Sequence, residues 1–201
     1  MLYSPHSMPA STRRSSEQVA RQVLETADRL FYGQGVRATG VNQIIAEAEV
    51  AKASFYAHFP SKDDLVVAYL EHRHVRWFEM FHEVVDAARS SRGRLLAAFT
   101  FLGRWQPSVG YRGCAFLNAI GEGSTSEPVA RVVASHKAQL RAFFQTAAVA
   151  VTTTKARARG LGDHLLLLFE GAIIQSSVHR DAWPLRAAAK AASDLVPADG
   201  A

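Results

Sequence analysis

The chain has 201 residues, 48% of them apolar and 20% charged, with 13 Gly and 7 Pro, a balance that suits a globular fold with a sizeable core and excludes fibrous and disordered readings. One cysteine, Cys114, excludes an internal disulfide and a cysteine-based zinc site, and points to a reducing, cytoplasmic setting. Lys and Arg outnumber Asp and Glu by 23 to 18, and the net charge of +5 permits a polyanionic partner without identifying one.

Residues 1–14 have no apolar run ahead of a cleavage site and read as a disordered basic arm carrying Arg13 and Arg14, with Met8 as an alternative start. Helical signals then recur to residue 196, and no segment alternates apolar with polar residues, so the expected fold is all-α. Ser15-Ser16-Glu17-Gln18 is a capping-box pattern. It opens a helix whose stripe is Val19, Val23, Ala27, Leu30 and Phe31, ending at Gly33 and Gly35. Two short helices follow, over 41–48 and 52–57, before Pro60.

Ser61 is placed to cap the backbone N–H of Asp64, and Asp63 and Asp64 suit the positive end of a helix dipole. The stripe Val66, Leu70, Arg73, Trp77, Met80, Val84, Ala88 predicts a helix of about 27 residues, roughly 40 Å long, able to join two parts of a molecule. Further helices are expected near 92–106, 114–121, 127–155, 163–179 and 182–196, with breaks at Pro107 and Gly110, at 121–126, at Gly160 to Gly162, and at Arg180-Asp181. The run Lys155-Ala-Arg-Ala-Arg159 reads as the basic end of a helix passing into a loop. The organisation is therefore an N-terminal three-helix unit over 15–60, a larger helical region over 61–196, and a tail over 197–201. The longest late apolar run, Leu165 to Phe169, is far too short to span a membrane, so no membrane partner is expected.

Between Thr39 and Phe59 the spacing fits a helix-turn-helix. Val41, Ile44, Ile45 and Ala48 form a buried face, Val50 plugs the turn, and Phe55 and Phe59 bury the second helix. Lys52, Ala53, Ser54, Tyr56 and His58 are left facing outward, small or hydrogen-bonding side chains suited to base edges and phosphates. Ile45-Ala46, Glu49-Val50, Tyr56-Ala-His-Phe59 and Ser61-Lys-Asp-Asp-Leu65 together resemble the tetracycline-repressor (TetR) family of bacterial regulators over about residues 15–70. Two positions depart from that pattern. Glu49 stands where the family usually has Gly, with a strain cost if the turn needs positive φ, and Ala51 stands where a Ser or Thr often caps the recognition helix.

The resemblance implies double-stranded operator DNA as partner, a small-molecule effector of unassigned chemistry, and a homodimer built through the last two helices. It implies Lys52, Ala53 and Ser54 as groove contacts, joined by Asn42, and Tyr56, His58 and Lys62 as phosphate contacts, with Thr39 assisting. An independent sign of the dimer lies in 163–179, where one apolar stripe is Leu165, Phe169, Ile173, Ser176 and a second is Leu167, Gly171, Ile174, Val178. With the small residues Ala187, Ala188, Ala191 and Ala192 and with Leu195 of the last helix, this makes Leu167, Ile174, Val178, Ala188 and Ala192 the candidate interface.

No nucleophile–base–acid set, glycine-rich phosphate loop or metal cluster is evident, so no catalytic residue, metal or cofactor is assigned. His72 and His74, two apart on a helix, read as solvated. The aromatic residues Trp77, Phe81, Phe99, Phe101, Trp105, Phe116, Phe143 and Phe144, with His136 and Asn118, are divided between core and pocket with none singled out. The segment Arg112 to Glu122 resembles one branch of these regulators in which a cysteine responds to electrophiles or oxidants, although a lone Cys beside Ala and Phe is more often an inert buried hydrophobe. The expected function is a DNA-binding regulator, most simply a repressor relieved by its effector. The alternatives are a family member without DNA binding that acts as an interaction module, kept open by Glu49 and Ala51, and a small helical enzyme or carrier on the same fold.

Overall fold

The structure is a computed structural model that describes residues 15–105, 110–124 and 126–198. The basic arm with Arg13 and Arg14, the break at Pro107 and the last three residues of the expected tail lie outside the described residues. The secondary structure is helical throughout the described residues: α1 Ser16–Gln34, α2 Val41–Glu47, α3 Lys52–His58, α4 Lys62–Asp86, α5 Ser91–Trp105, α6 Ala115–Gly121, α7 Glu127–Val149, α8 Lys155–His179 and α9 Trp183–Leu195.

The starts written in the sequence form as expected. The Ser15 hydroxyl accepts from the Gln18 N–H while the Gln18 side chain accepts from the Ser15 N–H, closing both halves of the capping box. The Ser61 hydroxyl accepts from the Asp64 N–H at 3.1 Å, and α4 runs 25 residues from there. Its inner face is Leu65, Val66, Tyr69, Leu70, Trp77, Phe78, Phe81 and Val85. Met80, expected on that stripe, is exposed instead, and Ala88 falls beyond the helix end.

The expected break at Gly160 to Gly162 is absent, and the chain breaks ten residues earlier. Helix α7 stops at Val149, the Thr152 hydroxyl donates to the Ala148 carbonyl at 2.8 Å, and Thr154 caps α8 by accepting from the Arg157 N–H. A run of three β-branched threonines favours this position, because each can satisfy a helix end with its own hydroxyl. The run Lys155 to Arg159 therefore begins a helix rather than ending one. Asp163, which looked like the start of a helix, lies within α8 and accepts from Arg141 at 2.7 and 2.9 Å and from Gln145 at 2.8 Å, tying α8 to α7. Gly162 is needed at that junction, since a Cβ there would lie 2.6 Å from the Gln145 Cα.

Helices α4, α5, α7, α8 and α9 pack around one apolar core that is continuous with the core of α1 to α3. Its centre is aromatic: Trp77 stacks on Phe81 with centroids 5.0 Å apart, and Phe169 meets both rings edge-on. Phe81, Phe99, Phe101 and Phe144 belong to this core. No helix among the described residues is long and apolar enough to cross a membrane.

Candidate functional site

The helix-turn-helix is assembled as its spacing predicts. Ile44 and Ala48 of the first helix and Phe55 of the second are fully buried, Phe59 is buried, and Val50 packs partly against them. Between the two helices Glu49 adopts φ 51°, the left-handed region that favours glycine, so a side chain sits where the resemblance leads one to expect none. Ala51 is the N-cap of α3 and offers that helix no side-chain hydrogen bond.

On the outer side, Asn42 of α2 and Lys52, Ala53 and Tyr56 of α3 are exposed, and Ser54 is half-exposed. Tyr56 is fixed by edge contact with Phe55 at 5.2 Å, which leaves its hydroxyl end free to turn outward. His58 Nε2 lies 3.2 Å from the Ser16 hydroxyl and joins the end of α3 to the start of α1. Lys62 is half-buried at the start of α4, and burial lowers its pKa while the carboxylates of Asp63 and Glu122 oppose that shift. One expected contact does not survive. Thr39 is fully buried, and its hydroxyl donates to the carbonyls of Gly35 at 2.7 Å and Leu30 at 3.4 Å. Its role is to close the α1–α2 turn.

A second site lies where the helix-turn-helix unit meets the larger helical region. A cavity of about 380 Å³ is walled by Trp77, Trp105, Phe116 and His136, and by Asp28 and Tyr32 of α1. Of the aromatic and polar residues left unassigned above, only those four line it; Asn118 instead donates to the Arg112 carbonyl at 2.8 Å and braces the loop before α6. Two part-buried ion pairs stand in its wall. Arg73 of α4 donates to both Asp28 oxygens, at 2.7 and 3.2 Å, with its guanidinium 3.9 Å from the Tyr32 ring centroid. Lys137 of α7 donates to both Glu170 oxygens of α8 at 2.7 Å, and to the buried Cys114 Sγ at 3.4 Å.

His136 lies flat on Phe116, 3.7 Å between centroids, and shares a proton with His74 across 3.2 Å between their Nδ1 atoms. Burial first, then the nearby charges of Lys137 and His74, pushes the His136 pKa down to about 3, so the ring is neutral at pH 7. The expectation that His72 and His74 are solvated is corrected, since both are half-buried. His74 is paired with His136, and His72 Nδ1 is buried without a hydrogen-bond partner. No group of three metal-ligating side chains occurs among the described residues.

The cavity is linked to the helix-turn-helix unit by short polar contacts. The Tyr32 hydroxyl donates to the Gly113 carbonyl at 3.1 Å and accepts from the Arg112 N–H, and the Arg112 guanidinium donates to the Tyr32 carbonyl. At the far end of α6, Glu122 accepts from the Arg37 N–H at 3.1 Å, and its carboxylate lies 2.6 Å from where a Cβ on Gly35 would sit, at a φ of 102° that itself favours glycine. Pairs such as Arg73–Asp28, separated by 45 residues, and Lys137–Glu170, separated by 33, have no local signal in the sequence.

Along α8, Leu165, Phe169, Ile173 and Ser176 are buried, whereas Leu167 (69% exposed), Ile174 (46%) and Val178 (69%) form an open apolar stripe. Ala188 and Ala192, expected to share that surface, are buried in the subunit's own core, where α9 packs on α5 and α8. The outer positions of this end are instead Trp183 and Leu195, each nearly half exposed.

A helix-turn-helix carried on a larger helical region with an internal cavity defines a one-component regulator architecture, in which the groove-reading unit and a ligand-sized space share one chain. Residues 23–69 match the family described as bacterial regulatory proteins, tetR family, and residues 105–191 match the C-terminal domain of LmrA/YxaF-like transcriptional regulators, so the two matches together span more than half of the chain. The chain belongs to the TetR family of transcriptional regulators. It is 33% identical over 98 residues to an HTH-type transcriptional repressor of Mycobacterium tuberculosis, covering 44% of this chain and 52% of that one. It is 27% identical over 88 residues to the HTH-type transcriptional repressor NemR of Escherichia coli, covering 43% and 44%. The chain thus spans about half the length of the curated relatives it matches. A TetR-family transcriptional regulator from Streptomyces coelicolor superposes with TM-score 0.76 at 28% identity, over 87% of this chain and 96% of that one. Reduced E. coli NemR superposes with TM-score 0.78 at 21% identity, over 91% and 100%, a likeness of fold.

Proposed function

We propose that the protein is a cytoplasmic, homodimeric transcriptional repressor that binds double-stranded operator DNA through α3 and is released when a small molecule enters the cavity between α1, α4, α7 and α8. The observation that carries this reading is the composition of the cavity wall, because Asp28 and Tyr32 belong to the helix on which α2 and α3 are packed. An occupant therefore touches the DNA-reading unit itself, and any occupant that prefers one orientation of α1 shifts the balance between DNA-bound and free forms. Names of relatives agree, since two of them are called transcriptional repressors. No enzymatic role is part of this reading.

In the bound form, Lys52, Ala53 and Ser54 face the major groove, with Asn42 beside them, and Tyr56, His58 and Lys62 approach phosphates. The test is a titration against the chain's own upstream DNA at several salt concentrations. A sequence-preferring complex whose log affinity falls linearly with log salt is expected. Lys62→Ala should weaken all sequences alike and reduce that slope by roughly one per lost phosphate contact, two in a dimer. Lys52→Ala should change base preference at one position per half-site, at a cost of about 1 to 3 kcal/mol. Absence of any sequence-preferring, salt-sensitive complex would favour the interaction-module reading, for which the strained Glu49 is the structural argument.

A further inference from the structure

The cavity's polar groups are unevenly satisfied, and that unevenness has a chemical meaning. Both of its carboxylates are already neutralised: Asp28 takes two hydrogen bonds from Arg73, and Glu170 takes two from Lys137. Tyr32 spends its hydroxyl on the Gly113 carbonyl and the Arg112 N–H. His136 is neutral and has Nδ1 occupied by His74. The charged group that remains is Arg76, on the same wall one turn along α4 from Arg73, exposed and with no ion-pair or hydrogen-bond partner among the described residues.

The excess charge of the cavity is therefore a single guanidinium. It lines the same cavity as the rings of Trp77, Trp105 and Phe116, of which Trp77 and Trp105 meet at 87° with 6.5 Å between centroids. A cation would have to displace Lys137 or Arg73 from its carboxylate, at the expense of an uncompensated buried charge. An anion meets a free fork of donors instead, the geometry that suits a carboxylate. Orthogonal aromatic walls offer one ring face and one ring edge to a flat apolar body, and a volume of about 380 Å³ lies within the usual range for small organic ligands.

We propose that the cavity takes a planar aromatic acid, its ring held between Trp77, Trp105 and Phe116 and its carboxylate paired with Arg76. This names the ligand class of the effector site and rests on the repressor reading only for its consequence at DNA. The experiment is isothermal titration of the full chain with three probes of one shape: 2-naphthoate, its uncharged methyl ester, and 2-naphthylmethylammonium. The acid is expected to bind at least about tenfold more tightly than the ester, the scale of one charge-assisted hydrogen bond, and the ammonium more weakly than either. Arg76→Ala, at an exposed position where the fold is not at stake, should bring the acid to the ester's affinity while leaving the ester unchanged, and Arg76→Lys should retain part of the difference. Equal binding of acid and ester, tighter binding of the ammonium, binding of none of the three, or a preference for the acid that persists in Arg76→Ala would each overturn the assignment. The same probes are then added to the operator complex. Binding of the acid without release of DNA leaves the ligand class standing and defeats the effector reading, whereas release of DNA by the ester or the ammonium with no binding of the acid does the reverse.

Discussion

His136 shows how far one residue's environment can move it from its usual behaviour. Stacked on Phe116, edge-on to Trp77 and bonded to His74, it has a pKa near 3 instead of 6.5, chiefly through burial. The folded chain thus refuses a proton that the unfolded chain accepts below pH 6.5. Stability from this group is fully present above that value and is lost as pH falls toward 3. By pH 4.5 the loss is about 3 kcal/mol at roughly 1.4 kcal/mol per unit. His136→Phe keeps the ring and removes the titration, so urea denaturation at pH 7 and 4.5 should show the variant losing less stability than the parent by about that amount. An unchanged pH response would place the acid sensitivity elsewhere. Nothing near His136 in sequence announces this, because His74 and Trp77 of α4 and Phe116 of α6 reach it from two other stretches of chain. Glu49 is the contrary case: the glycine usual there in the family it resembles marked the turn as a place where positive φ would carry a strain cost, and φ 51° is what the turn adopts.

At the scale of the element, the legible features were those with local causes. Capping hydroxyls at Ser15 and Ser61 set the starts of α1 and α4, the apolar period set their inner faces, and the outward residues of α3 followed by subtraction. The junction of α7 and α8 was misread because glycine has two meanings. Gly160 and Gly162 look alike in sequence, yet nothing lies within 4 Å of a Cβ placed on Gly160, while one on Gly162 would meet the backbone of Gln145 at 2.6 Å. The second glycine exists for close approach of two helices, which only the fold reveals. Gly160→Ala should therefore stabilise the protein by up to about 1 kcal/mol through helix propensity. Gly162→Ala should destabilise it by about 1 to 3 kcal/mol as α7 and α8 are forced apart. Thermal or denaturant unfolding of the two variants checks the pair, and equal effects of the same sign would remove the packing argument. The cavity was illegible for the same reason as the junction, since Asp28, Arg73, Lys137 and Glu170 come from four helices and none has a partner within its own helix.

For the molecule as a whole, the remaining question is what covers the outer face of α8. Leu167, Ile174 and Val178 repeat on one side of that helix, and Trp183 and Leu195 extend the apolar surface onto α9. Complete burial of a side chain of this size is worth about 1.5 to 3 kcal/mol, so leaving the stripe in water forfeits several kcal/mol. A two-fold arrangement that sets α8 against its own copy buries the same surface twice, and it also holds two copies of α3 at a fixed separation. Operators read this way present half-sites about 34 Å apart, one helical turn, or a multiple of it. The stripe and the cavity share α8: Glu170 and Ile173 line the cavity, while Ile174, one turn on from Glu170, belongs to the exposed stripe. A tilt of α8 or α4 that accommodates an occupant therefore changes the spacing of the recognition helices. By linkage, operator DNA must weaken effector binding by the factor by which effector weakens DNA binding. Leu167→Glu and Ile174→Glu each place a carboxylate on the shared axis and should yield monomers by light scattering, with operator affinity collapsing because one α3 keeps half of the contacts. Val75→Glu, on an exposed site of α4 away from this face, should leave the mass unchanged. If both α8 variants keep the parent's mass and operator affinity, the two-fold pairing through α8 is wrong.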